Sequence, residues 1–332
     1  MCRNCGTAGF GGQSMSQLSQ RCLGAATGLL IDRMLGEPPA DIHPVAKFGS
    51  TMTRLEQAIW RDRHSAGVAY VAAGVAIGAT SGWLVRSTSA AVAMSAAGRT
   101  LRRVATHVGE ALASGDMHTA RAELPSLVGR DVTQLDESGI ADAIIESVAE
   151  NSVDAVIAPA FWGAVAGAPG AMAYRAINTM DAMVGRRSTR YRNFGWAAAR
   201  LDDAVNYIPA RIFAVLVAAL NPKRARQIIG AVHQDAPAHP SPNAGVAEAA
   251  MAGALNRQLG GPLSYEGEAE HRPTLGSSVC VRGAYLKDTC SRVENINDIK
   301  AAIRVADRVE VFAVGLLVVS GFVNWLLDRR SS

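Results

Sequence analysis

The segment from Glu146 to Arg211 constrains the fold more than any other part of this 332-residue chain. It contains a charge-free run from Ala155 to Tyr174, about as long as the ~20 apolar residues that a membrane helix needs. Carboxylates, amides and arginines crowd both ends of this run. Ionisable groups beside a membrane-embedded helix are energetically costly and therefore indicate function. The segment predicts polar chemistry held against a membrane.

The composition also favours a membrane protein. The chain is 49% hydrophobic and only 19% charged, which is too apolar for an ordinary soluble enzyme. Its net charge of +4 comes from basic residues spread along loops without interleaved aromatic residues, so we expect no nucleic-acid partner. The five cysteines form no two-pair metal pattern, and their odd number argues against a disulfide framework.

Apolar runs predict the membrane helices. They lie at residues 22–31, which is marginal in length, and at 65–85, 155–174, 204–220 and 311–327. We expect the run 204–220 to be tilted or re-entrant, because it contains Asn206 and Arg211 and because the polar regions on both sides carry candidate site residues. The sequence thus predicts an all-α, multi-pass integral membrane protein with about four to five membrane helices and helical cytoplasmic segments.

The remaining segments define the domain organisation. Residues 1–20 are rich in Gly, Ser and Gln, which predicts a disordered extension before a single membrane-embedded domain at 21–332. Within that domain, residues 100–150 form a soluble-looking helical segment and 221–308 a polar region. Six arginines and one aspartate between Arg175 and Arg200 favour the cytoplasm for that loop. We therefore expect the cell membrane, with the active site facing the cytoplasm.

A row of acids precedes the central apolar run. Glu146, Glu150 and Asp154 lie one helical turn apart on one face, with Asn151 beside them. Three carboxylates in a row repel one another unless a cation binds, and Mg²⁺ takes one or two carboxylates with water and nucleotide phosphate. The alternative is a solvated acidic face.

A second acidic group follows the run. Asp202 and Asp203, with Asn206 one turn on from Asp202, lie between Arg200 and Arg211. Paired aspartates with nearby arginines suit a metal-bound phosphate and its developing charge. The alternative is a charge cluster that only fixes a helix at the membrane interface.

Other residues suit anion binding. Arg186, Arg187, Arg190 and Arg192 match carboxylate or phosphate groups, although membrane anchoring explains Arg186 and Arg187 equally well. Asn243 is predicted to cap a helix that contains Glu248, and an exposed helix N-terminus also binds anions. Prolines 38, 39 and 44 predict an extended loop around His43. The chain has no P-loop or dinucleotide-binding motif, so any nucleotide binds in a less familiar way.

Short tracts in order along the chain resemble the adenosylcobinamide-phosphate synthase family of cobalamin biosynthesis, also called cobinamide synthases. The resemblance runs from Asp32 to about Arg308 through the following tracts: Gly36-x-Pro38, His43-Pro44-Val45, Gly129-Arg130-Asp131, Glu146-Ser147-Val148-Ala149-Glu150-Asn151 with Asp154, Ala158-Pro159, Gly167-Ala168-Pro169-Gly170, Ala176-Ile177-Asn178-Thr179 with Asp181, Arg190-Tyr191, Phe194-Gly195-Trp196, Ala199-Arg200-Leu201-Asp202-Asp203, Ile208-Pro209-Ala210-Arg211, Ser241-Pro242-Asn243-Ala244-Gly245 and Met251-Ala252-Gly253-Ala254-Leu255. Two departures are Glu37, where the family usually has Asp, and an atypical tract from Gly276 to Cys290.

The resemblance implies a membrane ligase. Such an enzyme uses ATP and magnesium to join (R)-1-amino-2-propanol, or its phosphate, to a propionate carboxylate of adenosylcobyric acid, giving adenosylcobinamide or its phosphate. The expected partners are this corrinoid, the aminopropanol, membrane lipid and other cobalamin-pathway membrane enzymes. An intramembrane magnesium-dependent prenyl or phosphoalcohol transferase, or a transporter or scaffold without catalysis, stays as an alternative.

The hypothesis assigns roles to the matching residues. Magnesium would position ATP, the corrinoid carboxylate would become an acyl phosphate, and Glu146 or Glu248 would take the proton of the attacking amine. The predicted catalytic residues are Glu146, Glu150, Asn151, Asp202, Asp203 and Glu248. The predicted substrate-binding residues are His43, Asn178, Asp181, Arg190, Tyr191, Arg200, Asn206, Arg211, Ser241 and Asn243. The predicted metal ligands are Glu150, Asp154, Asp202 and Asp203.

Overall fold

The computed structural model describes residues 15–331, apart from 40, 42, 130, 131, 134, 187, 266–267 and 277–295. The expectations for residues 1–14, for Arg187, for most of the Gly129–Asp131 tract and for the tract after Gly276 lie outside the described residues. The described elements are, in chain order, α1 (Gln17–Leu35), α2 (Pro44–Ile59), α3 (His64–Val85), α4 (Thr88–Ser95), α5 (Gly98–Ala113), α6 (Met117–Glu123), α7 (Glu137–Ser152), α8 (Ala158–Met180), α9 (Trp196–Leu220), α10 (Ala225–Gln234), α11 (Ala244–Leu255), β1 (Leu259–Tyr265), β2 (Glu268–Leu275) and α12 (Ile296–Ser331).

Four of the described helices are long and apolar enough to cross a membrane. They are His64–Val85, Glu137–Gly185, Trp196–Leu220 and Ile296–Arg330. The prediction of an all-α, multi-pass membrane protein is confirmed, with one antiparallel hairpin of β1 and β2 as an addition that the sequence did not indicate. The marginal run at 22–31 lies in α1, which is not one of the four.

The second of these spans contains a short π-helical turn and a kink, where Gly167 has non-helical backbone angles (φ 68°, ψ −155°). α7 passes through Val153–Ile157 into α8, and a second π-turn at Asp181–Gly185 ends the run. Every residue from Ile140 to Ala149 is buried. The helical spacing of charges identified a helix here but not its burial, and the soluble-looking segment 100–150 stays a prediction.

Of the two alternatives for the run 204–220, tilted or re-entrant, the re-entrant one is wrong, and the tilt stays a prediction. α9 is one continuous helix from Trp196 to Leu220. The chain turns back after it, since α10 and α11 pack against α9 and bring Asn243 beside Asp203. This return, and not a break in α9, places the polar residues on both sides of α9 in one region.

Two predicted boundaries shift. α1 begins at Gln17 with Ser16 as its N-cap, so the part of the disordered extension after residue 16 is helical. His43 has extended backbone angles, as expected for the loop, but it also caps α2, where its Nδ1 accepts the N–H of Val45 at 3.1 Å. Pro44 takes the first helical position, where a missing N–H costs no intrahelical bond.

Glycines allow α3 to approach α8 closely. Gly74, Gly78 and Gly82 recur every four residues, a spacing typical of tightly packed membrane helices. A Cβ at Gly82 would lie 2.3 Å from the carbonyl oxygen of Ala168, so even alanine does not fit there. This contact fixes α8, the helix that carries much of the candidate site, against α3.

Each proline in the membrane helices leaves one backbone carbonyl without its usual N–H partner, and a donor from another part of the chain bonds to that carbonyl. A proline leaves the carbonyl four residues earlier without its N–H partner, which is costly in lipid. Within α9, Pro209 has this effect on the carbonyl of Val205, and the indole N–H of Trp162 donates to that carbonyl at 3.1 Å. The same holds for the other two prolines of the spans: for Pro169 the Val165 carbonyl accepts from Arg21 Nη1 at 2.9 Å, and for Pro159 the Ala155 carbonyl accepts from the Ala97 N–H at 3.0 Å.

Replacing Trp162 by Phe tests this compensation. We expect Trp162→Phe to lower the stability of the detergent-purified protein by about 1–3 kcal/mol, because the Val205 carbonyl loses its donor. In a Pro209→Ala background the loss should shrink, since the new backbone N–H at position 209 can donate to Val205. Trp83→Phe, at an exposed position of α3, is the matched control. The thermal unfolding midpoints of Trp162→Phe, Pro209→Ala, the double variant and Trp83→Phe give the comparison. An equal loss from Trp162→Phe with and without Pro209→Ala would contradict the role given to Trp162.

Candidate active site

Asp154 and Asp202, from two different helices, share one amide donor. Asn178 Nδ2 on α8 donates to Asp154 Oδ2 at 3.0 Å and lies 3.4 Å from Asp202 Oδ1. Asn206 Nδ2 donates to the other oxygen of Asp202 at 3.0 Å. We call these four residues the Asp–Asn cluster. The two acidic groups that the sequence placed on either side of the apolar run thus form one site.

Tyr174 supports the cluster from inside α8. Its hydroxyl lies 2.9 Å from Asn206 Oδ1 and 3.3 Å from the backbone carbonyl of Asp154. The ring is fully buried, so the hydroxyl has no water to bond to and depends on these acceptors. Sequence reasoning missed Tyr174, because it ends a charge-free run and looks like an interfacial aromatic residue.

Both π-turns carry acids of the site. Asp154 lies in the turn Val153–Ile157 and Asp181 in the turn Asp181–Gly185. A π-turn inserts a residue into the helical repeat and so redirects side chains, and such turns are frequent at functional sites. Pro159 contributes to the first turn because it has no N–H to offer the Ala155 carbonyl, which bonds to Ala97 instead.

Carboxylates accumulate around the Asp–Asn cluster. Asp154 lies within electrostatic range of Glu150 and Asp181, and Asp181 in turn lies within range of Asp203. The nearby cations are Arg175, beside Asp154, and Arg186, beside Asp181. Glu150 is exposed, so the group opens to solvent at that point. The excess of negative charge favours a bound cation.

The arrangement suits magnesium that is shared with a ligand. Among the described residues, no three His, Cys, Asp or Glu side chains are placed to hold a metal by themselves. Mg²⁺ needs only one or two carboxylates when water and substrate phosphates complete its octahedron. Asp154 and Asp202 supply such a pair. The larger ligand set of Glu150, Asp154, Asp202 and Asp203 stays a prediction.

Asn243 joins α11 to α9 beside the cluster. Its Oδ1 accepts from Arg211 Nη1 at 2.9 Å, and its Nδ2 donates to the backbone carbonyl of Asp203 at 2.7 Å. Arg211 also stacks over the ring of Tyr207, with its guanidinium carbon 3.6 Å from the ring centre. These contacts bring the predicted residues Arg211, Asn243 and Asp203 together.

Ser241, and not Asn243, supplies the capping group of α11. The hydroxyl of Ser241 accepts the backbone N–H groups of Asn243 at 3.3 Å and Ala244 at 3.2 Å. Asn243 holds the N-cap position as predicted, but its side chain makes no capping bond. The physical reason is that Arg211 and Asp203 engage that side chain first.

A buried acid and imidazole lie at the same end of α11. His239 Nε2 is 3.7 Å from Glu248 Oε2, and both side chains are almost fully buried. His239 Nδ1 lies 3.1 Å from both the backbone nitrogen and the carbonyl oxygen of Ser241, so the start of the tract to α11 holds the ring in place beside Glu248. Glu146 is likewise buried, within α7. His239 was not singled out from the sequence, although it opens the same proline-rich tract as Ser241.

Three predicted binding residues have structural partners away from the cluster. Arg190 Nη2 and the Tyr191 hydroxyl both bond to Glu56 Oε1 of α2, at 3.0 and 2.9 Å. The bond to Glu56 raises the pKa of Arg190, whereas burial and then the bond to Glu56 raise the pKa of Tyr191. His43 caps α2, with Nε2 3.5 Å from Glu37. Nothing in the sequence indicated Glu56.

Two further predicted residues are not among the side chains that hydrogen-bond within the Asp–Asn cluster. Asn151 Nδ2 donates within its own helix to the carbonyl and hydroxyl of Ser147, at 2.9 and 3.0 Å. Arg200 is exposed near the start of α9. Their proposed roles in catalysis and binding stay predictions.

Comparison with known proteins gives consistent matches. A family model described as CobD/Cbib protein matches residues 25–292, which include every candidate site residue. A protein named cobalamin biosynthesis protein CobD from Mycobacterium tuberculosis is 45% identical over 271 residues, covering 77% of this chain and 86% of that protein. Proteins of the same name are 41% identical over 267 residues in Rhodobacter capsulatus (75% of this chain, 84% of that one) and 39% identical over 298 residues in Chromobacterium violaceum (84% and 90%). No solved structure matches the chain.

Asn178→Leu tests whether the shared amide holds the two carboxylates together. We expect this variant to lose on the order of 1–3 kcal/mol of stability, because Asp154 and Asp202 lose a buried donor without a change in side-chain size. Asn324→Leu is the matched control in α12, where the amide bonds only to the carbonyl of Ser320 one turn earlier. Thermal midpoints in detergent give the comparison, and equal midpoints for the two variants would refute the bridging role.

Proposed function

The chain belongs to the CobD/Cbib protein family, and on this premise we propose that it catalyses an ATP-dependent ligation in cobalamin biosynthesis. The bond formed is an amide between a propionate carboxylate of adenosylcobyric acid and (R)-1-amino-2-propanol or its phosphate. The substrates follow from the family resemblance. The observation that carries the chemistry is the Asp–Asn cluster, in which Asp154 and Asp202 come together through Asn178.

The cluster supports a role in binding nucleotide phosphates. Magnesium bound there would neutralise phosphate charge and hold the phosphates for attack. Asp154 and Asp202 would hold that ion, while Asn178 and Asn206 fix the orientation of the carboxylates. Arg175 and Arg186 are placed to stabilise the remaining negative charge.

The proposed reaction has two steps, activation of the corrinoid carboxylate and attack by the amine. The corrinoid carboxylate oxygen bonds to the terminal phosphorus of ATP, and ADP leaves. The amine then attacks the activated carbonyl carbon, phosphate leaves, and one proton is released. The amine must be deprotonated to attack, and Glu146 or Glu248 is the proposed acceptor. Glu248 has His239 beside it, which could share the proton inside the protein.

The position of the site supports access from the cytoplasm. Asp181 and Asp203 flank the loop at 186–195, and this loop carries the arginines at 186, 190 and 192. Short arginine-rich loops of membrane proteins lie predominantly on the cytoplasmic side, where ATP is available. We propose a cell-membrane protein whose site opens toward that side.

Asp202→Asn tests the carboxylate pair directly. Wild-type protein in detergent, given cobyric acid, ATP, magnesium and aminopropanol with or without its phosphate, should form an amide detectable by mass spectrometry. The variant should lose more than the roughly 10- to 100-fold that removal of an outer-shell partner costs. Asp116→Asn is the matched control, because Asp116 is an exposed N-cap residue and asparagine also caps helices well. Unchanged turnover by Asp202→Asn would overturn the role of the cluster.

The nucleotide products test the activation step. Attack on the terminal phosphorus predicts ADP and inorganic phosphate in equal amounts with the amide, as measured by ³¹P NMR. AMP and pyrophosphate would instead indicate an adenylated carboxylate. Nucleotide-independent product formation would favour a transferase, and no product with any substrate combination would favour a transporter or scaffold.

A further inference from the structure

An open cavity of about 530 Å³ lies between the C-terminal end of α1 and the exposed face of α5. Its lining residues are mostly arginines, and they are Arg33, Arg99, Arg102, Arg103, Thr106, His107 and Glu110. We call it the arginine cavity. None of these residues belongs to the candidate active site.

Acids on α12 hold two of the arginines in place. Arg33 Nη1 lies 2.7 Å from Asp307 Oδ1, and Arg102 Nε lies 3.6 Å from the same oxygen. Arg102 Nη1 also hydrogen-bonds to Glu310, which is almost fully buried. The acids lie on α12, behind the arginines, and do not line the cavity. The arginines are thus fixed before any ligand arrives, which reduces the entropy lost on binding.

The arginines retain donors after these contacts. Each guanidinium has five N–H groups, and Arg99 uses Nη1 for the carbonyls of Met34 and Arg33 at the end of α1. The side chain of Arg103 is exposed, and it makes no hydrogen bond or ion pair with the part of the chain that is described. Burial and the neighbouring cation of Arg33 lower the pKa of Arg102. An anion in the cavity would relieve that repulsion.

The cavity lies at the boundary of the apolar runs. Arg33 directly follows the run 22–31, and Asp307 and Glu310 directly precede the charge-free run 311–327. Because Arg33 and Asp307 are paired, the end of the run 22–31 and the start of the run 311–327 lie at the same level. Phosphate groups of lipids and the ends of membrane helices occupy this level of a bilayer.

The cavity is separate from the Asp–Asn cluster. Gly98, at the start of α5, would place a Cβ 2.9 Å from Val156 and 3.0 Å from Glu310. Val156 lies in the same π-turn as Asp154 but two residues on, and therefore on another face of the helix. The helix that carries Asp154 thus stands between the two sites.

We propose that the arginine cavity binds the phosphate group of an anionic ligand at the membrane surface. Guanidinium groups match phosphate oxygens in pairs, and four of them converge here. A phospholipid headgroup and a soluble phosphate both provide this chemistry. Glu110, about two helical turns along α5 from Arg103, marks the end of the cavity where negative charge is disfavoured.

Ligand-induced thermal shifts of the full chain test the proposal. The protein is purified in an uncharged sugar-headed detergent without magnesium, and either phosphatidylglycerol or pyrophosphate is titrated in. We expect one of the two to raise the thermal midpoint of wild type. Arg103→Gln should weaken the apparent affinity about tenfold or more, because one charged fork is lost. Arg226→Gln, which removes an exposed arginine of α10, is the matched control and should bind as wild type.

The outcomes distinguish a phospholipid headgroup from a soluble phosphate as the ligand. A shift with phosphatidylglycerol alone identifies a lipid headgroup site, and a shift with pyrophosphate identifies a soluble phosphate site. Asp202→Asn should keep the shift in either case, which separates this cavity from the proposed nucleotide site. No shift with either ligand, or an equal shift for Arg103→Gln and wild type, would overturn the proposal.

Discussion

The requirement that every backbone polar group in lipid be satisfied determines how these helices pack. Proline removes an N–H, and hydrocarbon offers no water to replace it. Each of the three prolines in the spans therefore pairs a missing backbone hydrogen bond with a contact to another element, from Ala97, Arg21 or Trp162. The Trp162 contact joins α8 to α9, and the other two join α1 and the start of α5 to the helix that carries Asp154. The packing thus supplies the donors that make these prolines tolerable, and the prolines leave the carbonyls to which those donors bind.

The candidate site uses the same irregularities. The first π-turn contains Asp154 and adjoins Pro159, and the second contains Asp181. A regular helix through both points would repeat its side chains every 3.6 residues and would present these acids in other directions. Asn178 lies on the helical segment between the Gly167 kink and the second turn, and its amide has Asp154 and Asp202 within reach. Backbone irregularity and acid clustering are thus parts of one arrangement.

Much of this organisation could be predicted from the sequence, but only where a local signal exists. Charge-free runs identified three of the four spans, and ordered polar tracts identified the acids at 154 and 202. The burial of α7 could not be predicted, because its charges follow the same spacing as those of a surface helix. Glu56, Tyr174 and His239 gave no local signal, since their partners lie 135, 32 and 9 residues away. The sequence placed Asn243 correctly at the start of α11, but it gave no signal for the tertiary contact to Arg211, which leaves Ser241 to supply the capping oxygen.

α12 has a consequence that follows from its length. Its 36 residues extend over about 54 Å, against about 30 Å for the hydrocarbon core of a bilayer. Near its start Asp298 pairs with Arg257 at 3.0 Å, and further along Asp307 pairs with Arg33. A single stiff rod therefore connects the hairpin region with the lipid-embedded end of the chain. A thinner or thicker bilayer that tilts this rod would therefore also displace Arg257 and the segment after α11.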